Sequence, residues 1–408
     1  MIQCRLLTLG LLTLPSLAAA EDIRFRKTVL STTFYSEGCA VGDFNKDGRL
    51  DVVAGPCWYQ QPQDWGSSWP VHQIREPGTF KWDGGYSESF VNGAIDVNQD
   101  GWTDIIIAGF PGKATLWYEN PQDKTGRWKE HAITPWTCNE SPQIVDVNRD
   151  GRLDLLYAFT PDFEERGWMA WSACPSSTEG SGGGNARRRL RWHLHPISKA
   201  KAPCTHRFAH GLGFGDMNGD GHGDVICPEG WWENPGNPET PDWPFHSAQL
   251  GEACADMYPF DVDGDGDMDV ISSSAHKYGI WWHEQGSAKS GSGPDSKGEP
   301  TWTKHEIYMK VSQTHALQVA DINADGQPDL VTGKRYWAHN GHDPGAREPA
   351  VLMWFEFRRE GGRPTWTPHE IDHDSGIGTQ FVVTDINNDK KLDIVTSNKK
   401  GTFVFTQE

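Results

Sequence analysis

The stretch Asp321-Ile322-Asn323-Ala324-Asp325-Gly326-Gln327-Pro328-Asp329 carries oxygen side chains at positions 1, 3, 5 and 9 and glycine at position 6. Its pattern occurs seven times: DFNKDGRLD at 43–51, DVNQDGWTD at 96–104, DVNRDGRLD at 146–154, DMNGDGHGD at 216–224, DVDGDGDMD at 261–269, DINADGQPD at 321–329 and DINNDKKLD at 385–393. Such spacing folds carboxylates inward around one hard cation, the chemistry of a calcium loop. An EF-hand needs a glutamate at position 12 and helical flanks. Here position 12 is apolar, as at Ala54 and Ile107, and the flanks are β-branched, so each loop joins two strands of a hairpin. Asp, Asn and Gly also favour plain turns, but seven copies argue for metal.

The expected ligands are Asp43, Asn45, Asp47 and Asp51; Asp96, Asn98, Asp100 and Asp104; Asp146, Asn148, Asp150 and Asp154; and Asp216, Asn218, Asp220 and Asp224. The remaining loops supply Asp261, Asp263, Asp265 and Asp269; Asp321, Asn323, Asp325 and Asp329; and Asp385, Asn387, Asp389 and Asp393. The expected cofactor is structural Ca²⁺, up to seven ions.

Around the loops a longer unit repeats. An aromatic segment follows each of the first six, such as WYENP from 117 and WWENP from 231. A Trp-x-x-His element comes next, at Trp69/His72, Trp128/His131, Trp192/His195, Trp243/His246, Trp302/His305 and Trp366/His369. Four strands per repeat make one propeller blade. The seventh repeat stops at Glu408 without a Trp-x-x-His strand, while IRFRKTVL at 23–30 precedes the first repeat unpaired. The expectation is an all-β, seven-bladed β-propeller of four-stranded blades over residues 21–408, closed by an N-terminal strand completing the last blade. Closure removes the exposed sheet edges that invite aggregation.

Composition agrees. The 408 residues include 45 Gly and 20 Trp, with 56 acidic against 37 basic residues and a net charge of −19. That balance excludes a nucleic-acid binder that relies on neutralising phosphates. The candidate ligand positions of the seven loops hold 22 of those 56 acidic residues, so much of the excess charge belongs to candidate metal sites.

Residues 1–20, with Arg5, an apolar run from Leu6 to Leu17 and Ala18 to Ala20, read as a signal peptide cleaved after Ala20. The mature protein is expected to be secreted or periplasmic, with no membrane anchor. In an oxidising compartment some cysteines should pair, Cys39 with Cys57 being the best candidate because they flank one hairpin. Two Gly/Ser-rich stretches, 176–189 and 286–300, read as surface insertions.

These loops resemble the FG-GAP or VCBS repeats of integrin-α-like propellers. The last blades, with SSSAHKYGIWWHEQ at 272–285, SQTHALQVADINADG at 312–326, GKRYWAHNGHDPG at 333–345 and GIGTQFVVTDINNDKKLDIVTSNKK at 376–400, further resemble the propeller domain of aldos-2-ulose dehydratase. That resemblance implies metal-assisted elimination of water from a keto-sugar.

Calcium loops repeated in every blade look structural, so chemistry is expected on the opposite, irregular face. Six residues before each motif the blades carry Glu37, Phe90, Glu140, His210, Ala255, His315 and Thr379. The blade 6 loop from 333 to 349 adds Lys334, Arg335, Tyr336, His339, His342 and Asp343, and the blade 5 loop adds His276 and Tyr278. Such an inventory suits proton abstraction beside a carbonyl. The catalytic candidates are His315 or His276 as base or metal ligand and Arg335 and Tyr336 as stabilisers, with His210 and His339 beside them; a divalent transition metal such as Zn²⁺ is the further candidate cofactor. The Trp-x-x-His histidines are expected to be structural, facing neighbouring blades or solvent. Two readings stay open: a carbohydrate-active lyase or dehydratase, and a non-catalytic propeller that binds a glycan or another extracellular ligand.

Overall fold

The computed structural model describes residues 23–122, 126–161, 165–176, 190–286 and 300–408. The leader-like segment and most of both Gly/Ser-rich stretches lie outside them. No helix among the described residues is long and apolar enough to cross a membrane.

Each motif loop joins two antiparallel strands, and each hairpin continues into two more. Five four-stranded sheets and one seven-stranded sheet result. In the larger sheet the strand Lys129–Val145 is both the outer strand of one unit and the inner strand of the next, so seven four-stranded units share 27 strands. The inner strands are Ala40–Gly42, Val91–Ile95, the second half of Lys129–Val145, Gly213–Gly215, Tyr258–Phe260, Leu317–Ala320 and Phe381–Thr384. Each lies beside the next, and the last returns to the first, where the Thr379 N–H donates to the Glu37 carbonyl at 2.6 Å. The N-terminal strand Phe25–Ser31 pairs antiparallel with the last strand, Gly401–Gln407, in the register Phe25↔Gln407 and Thr28↔Val404, and so completes the seventh unit as expected.

The core lies between blades. Val53 and Trp58 of the first unit pack with Ile105 and Tyr118 of the second, and Val331 and Trp354 of the sixth pack with Ile394 and Phe405 of the seventh. The ninth-position aspartates lock this arrangement. In all seven loops one carboxylate oxygen accepts the backbone N–H of position 2 at 2.8–3.1 Å. The other oxygen accepts an N–H near or just beyond the end of the third strand, at 2.7–2.9 Å. A buried carboxylate with both oxygens engaged joins three strands without leaving a polar group unpaired.

The six Trp-x-x-His histidines stack on tryptophans of their own blade's third strand, with ring centroids 4.1–4.5 Å apart and planes within 18°. Four of them, His131, His246, His305 and His369, are partly exposed to solvent. The pairing follows from register: His72 faces Trp58, and His246 faces Trp231, directly across the strand pair.

Cys39 and Cys57 are not paired; all seven described cysteines are free thiols. The second strand, Asp51–Ala54, runs between them, Ala40 opposing Val53 and Ala54 opposing Cys57. Two strand spacings, about 9.6 Å, exceed the roughly 7 Å that a disulfide tolerates between Cα atoms.

Candidate functional site

The residues at the entry to the inner strands are buried. Glu37 and His315 are inaccessible, and Glu140 and His210 nearly so. His315 Nε2 lies 3.2 Å and His210 Nε2 3.5 Å from the same Glu140 Oε2. Arg335, brought in where the sixth blade's second strand ends, places Nη1 3.3 Å from Glu140 and Nε 3.4 Å from Glu37. Burial raises the Glu140 carboxyl, but His210 and His315 pull it well below the usual range. Burial and the Arg335 charge push His315 down to about 3, so its ring is neutral.

A second group sits above the first. Asp343 reaches His339 Nδ1 at 3.1 Å through one oxygen and lies 3.5 Å from His276 Nδ1 through the other. Gln313 also donates to it at 3.2 Å. The His210 and His276 rings are 4.4 Å apart and those of His276 and His339 4.3 Å, so four imidazoles run from the buried Glu140 to the surface. Burial lowers the His276 pKa, whereas the hydrogen bond from Asp343 raises that of His339. Burial raises the Asp343 carboxyl, but its two histidines more than offset this and hold it well below the usual range.

Both groups open into a cavity of about 660 Å³. Tyr86, Phe110 and Phe208 form an aromatic wall, Glu140, His210, His276 and His339 one end, and Cys204, His206, Glu229 and Glu252 the other. Of the cations near that rim, Arg166 pairs with Glu229 and Lys277 with Glu252, whereas Arg207 lies over the Phe110 and Phe208 rings and Lys399 over that of Tyr86.

Of the expected site residues the structure thus brings together His210, His276, His315, His339 and Arg335. Tyr336 does not join them: it packs against Trp82 and Trp337, with Lys400 over its ring at 4.5 Å. Arg335, 1% exposed, faces two carboxylates and not the cavity, so it positions Glu140. Lys334 is spent on the carbonyls of Gly345 and Glu348, bracing the loop that carries Asp343. The aromatic wall escaped sequence reasoning, because Tyr86, Phe110 and Phe208 occupy no repeated position.

The donor sets fit the two metals that the sequence implies. In the loops Asp43 accepts the N–H groups of Asp47 and Gly48, holding oxygens inward, and the Asp261, Asp263 and Asp265 carboxylates lie within 4.8 Å of one another. Burial, with repulsion from the other loop carboxylates, pushes Asp51, Asp104, Asp154, Asp224 and Asp269 up to about 7. A hard dication would relieve that repulsion. On the other face, His210 Nδ1–H donates to the Phe208 carbonyl at 2.9 Å, while its Nε2, 3.5 Å from Glu140, makes no hydrogen bond. Both ring nitrogens of His315 are likewise unsatisfied. Two imidazoles and a carboxylate converge there, and two donors on a tetrahedral zinc lie about 3.3 Å apart, close to the 3.2 and 3.5 Å observed. The carbonyl behind His210 and the guanidinium behind Glu140 are the outer supports that metal ligands usually have.

Comparison with known proteins gives an FG-GAP-like repeat match at residues 96–157 and 261–332. No curated protein matches the sequence. Among solved structures, the Photorhabdus luminescens Tc holotoxin pore aligns over 95% of this chain at 13% identity and TM-score 0.35; the chain spans only 14% of its length. The rhamnogalacturonan lyase YesW aligns over 93% of this chain and 75% of its own at 11% identity and TM-score 0.43. The exotype lyase YesX aligns over 90% and 71% at 14% identity and TM-score 0.42.

Proposed function

An FG-GAP β-propeller by its repeats and its sheets, the chain is, we propose, an exported calcium-binding enzyme that eliminates water or an alcohol from a sugar, β to a carbonyl. The observation that carries this reading is the convergence of His210, His276, His315 and His339 with Glu140 on one cavity. The leader-like residues 1–20 support export, and the seven acidic loops support structural calcium.

The roles follow from position. His276 is the base: burial keeps its ring neutral and Asp343 orients it, the arrangement that prepares an imidazole to take a proton. His339, with its raised pKa and open position, returns a proton to the leaving oxygen. Tyr86, Phe110 and Phe208 offer apolar faces for the sugar ring and keep water from the intermediate. Glu140, His210 and His315 would hold a zinc-type ion, which when bound supplies Lewis-acid polarisation of a carbonyl.

Elemental analysis of the purified protein tests this. Calcium together with one equivalent of a transition metal is expected, the latter lost in Glu140→Gln and His315→Ala while calcium stays. Incubation with keto-sugars should then produce the absorbance of a conjugated enone, abolished in His276→Ala. No transition metal and no turnover would favour the binding propeller, for which the aromatic wall would serve as a glycan platform.

A further inference from the structure

The outer group around Asp343 has the make-up of a metal site in its own right. His339 Nδ1 lies 3.1 Å from one Asp343 oxygen and His276 Nδ1 3.5 Å from the other. One donor atom from each of the three residues falls within 4.8 Å of the others. Two imidazoles and a carboxylate suit a borderline divalent ion such as zinc, whose donors lie about 3.3 Å apart and whose fourth position then stays open. His276 Nδ1 is buried and makes no hydrogen bond, although Asp343 stands beside it. The group is also held from outside. Gln313 Nε2 donates to Asp343 at 3.2 Å, the His339 N–H donates to the Tyr86 hydroxyl at 2.9 Å, and Lys334 braces the loop through the carbonyls of Gly345 and Glu348. Such supports orient ligands before an ion arrives. An entry path exists too, because the His339 side chain is 42% exposed and both histidines line the cavity.

We propose that His276, His339 and Asp343 form a second, weaker site for a divalent transition metal, separate from the group of Glu140, His210 and His315, and that filling it silences the cavity. The two groups share no ligand, and the His210 and His276 rings, one from each, are 4.4 Å apart. An ion that enters second meets the charge of the first across that gap and binds more weakly. It takes the place of the proton between His339 Nδ1 and Asp343, which leaves to solvent or moves to Nε2. Silencing rests on the reading of His276 as base and His339 as acid; the site itself does not. A neutral imidazole has one lone pair. Once that pair is spent on a metal at Nδ1, the His276 ring carries its proton on Nε2 and no longer accepts another. His339, bound in the same way, no longer becomes the imidazolium that returns a proton.

Equilibrium dialysis of the full chain against rising zinc, in buffer that contains calcium, tests the site. A tightly held equivalent and a second one at higher concentration are expected. Asp343→Asn should lose the second and keep the first, and Glu140→Gln should do the reverse. His339→Ala, at an exposed side chain, should repeat the loss should Asp343→Asn not fold. Zinc uptake that neither Asp343→Asn nor His339→Ala lowers would overturn the proposal. Because Asp343→Asn and Glu140→Gln report on different ligands, absence of the Glu140 site leaves this result standing, and the converse holds. Conversion of a keto-sugar to the enone should fall at least about a hundredfold as the second equivalent binds, and return on dialysis back to one equivalent. Turnover that persists with the second site filled would overturn the silencing. A protein that never turns over the sugar, with or without zinc, counts against the reaction and not against the site.

Discussion

At the scale of single residues, Lys390 shows what the loop repeat demands. Glycine at position 6 takes φ between 82° and 98° in the first six loops, and Lys390 in the seventh holds 71°. Its N–H still reaches Asp385 at 2.8 Å, as Gly326 N–H reaches Asp321, so geometry is kept and strain accepted. Relief of a left-handed side chain is worth about 1–2 kcal/mol, against about 0.5–1 kcal/mol of extra chain entropy for glycine. Lys390→Gly should therefore stabilise the protein by about 0.5–1 kcal/mol, read as a higher urea midpoint at unchanged slope; a lower midpoint would show that the lysine side chain contributes more than its strain costs. The candidate site was legible at this scale only as an inventory. Histidines at 210, 276, 315 and 339 were visible as irregularities against the repeat. Their common partners, Glu140 for the buried pair and Asp343 for the outer pair, follow from distances that no spacing encodes.

At the scale of elements, the first six blades carry a ladder: an aromatic third strand and a Trp-x-x-His strand beside it whose histidine stacks on a tryptophan of the third. In the fourth blade His246 stacks on Trp231 at 4.2 Å and reaches Glu233 at 2.7 Å. Both partners are about a third exposed, so the pair is screened by solvent. Stack and hydrogen bond together are worth about 1 kcal/mol. His246→Ala should cost that much in chemical denaturation, and a loss above about 3 kcal/mol would mean that the ring closes a core the structure shows as partly open. The third strand of the third blade departs from the pattern, since Ala173 stands where the others place an acid or amide, and His195 keeps only the stack on Trp171. The failed Cys39–Cys57 expectation belongs to this scale too: adjacency in a hairpin motif says nothing about which strand runs between.

For the whole molecule, the chain ends meet in one sheet. Strand Phe25–Ser31 covers the edge of Gly401–Gln407, and Phe25 and Leu30 pack on apolar clusters that include the last blade. Removing residues 1–31 should expose that edge, lower the melting temperature by more than 5 °C and promote association in size-exclusion chromatography. A monomeric chain with unchanged melting would show that the seventh blade stands on three strands. The net charge of −19 is also a property of this scale. Repeated loops gather 22 acidic candidate ligands on one face, while on the other a few buried carboxylates are matched by Arg335 and imidazoles.

What the sequence determined by itself was everything that repeats: the loops, the strand order, the ladders and the closing N-terminal strand. A local rule copied seven times leaves a period that hydrogen bonding and alternation reproduce without reference to the rest of the chain. Tertiary structure alone decided what does not repeat. It set Glu140 against His210 and His315, committed Arg335 to two carboxylates, moved Tyr336 away and raised an aromatic wall from Tyr86, Phe110 and Phe208. Each of these joins blades or loops far apart in the chain, and only closing the ring fixes the distances between them.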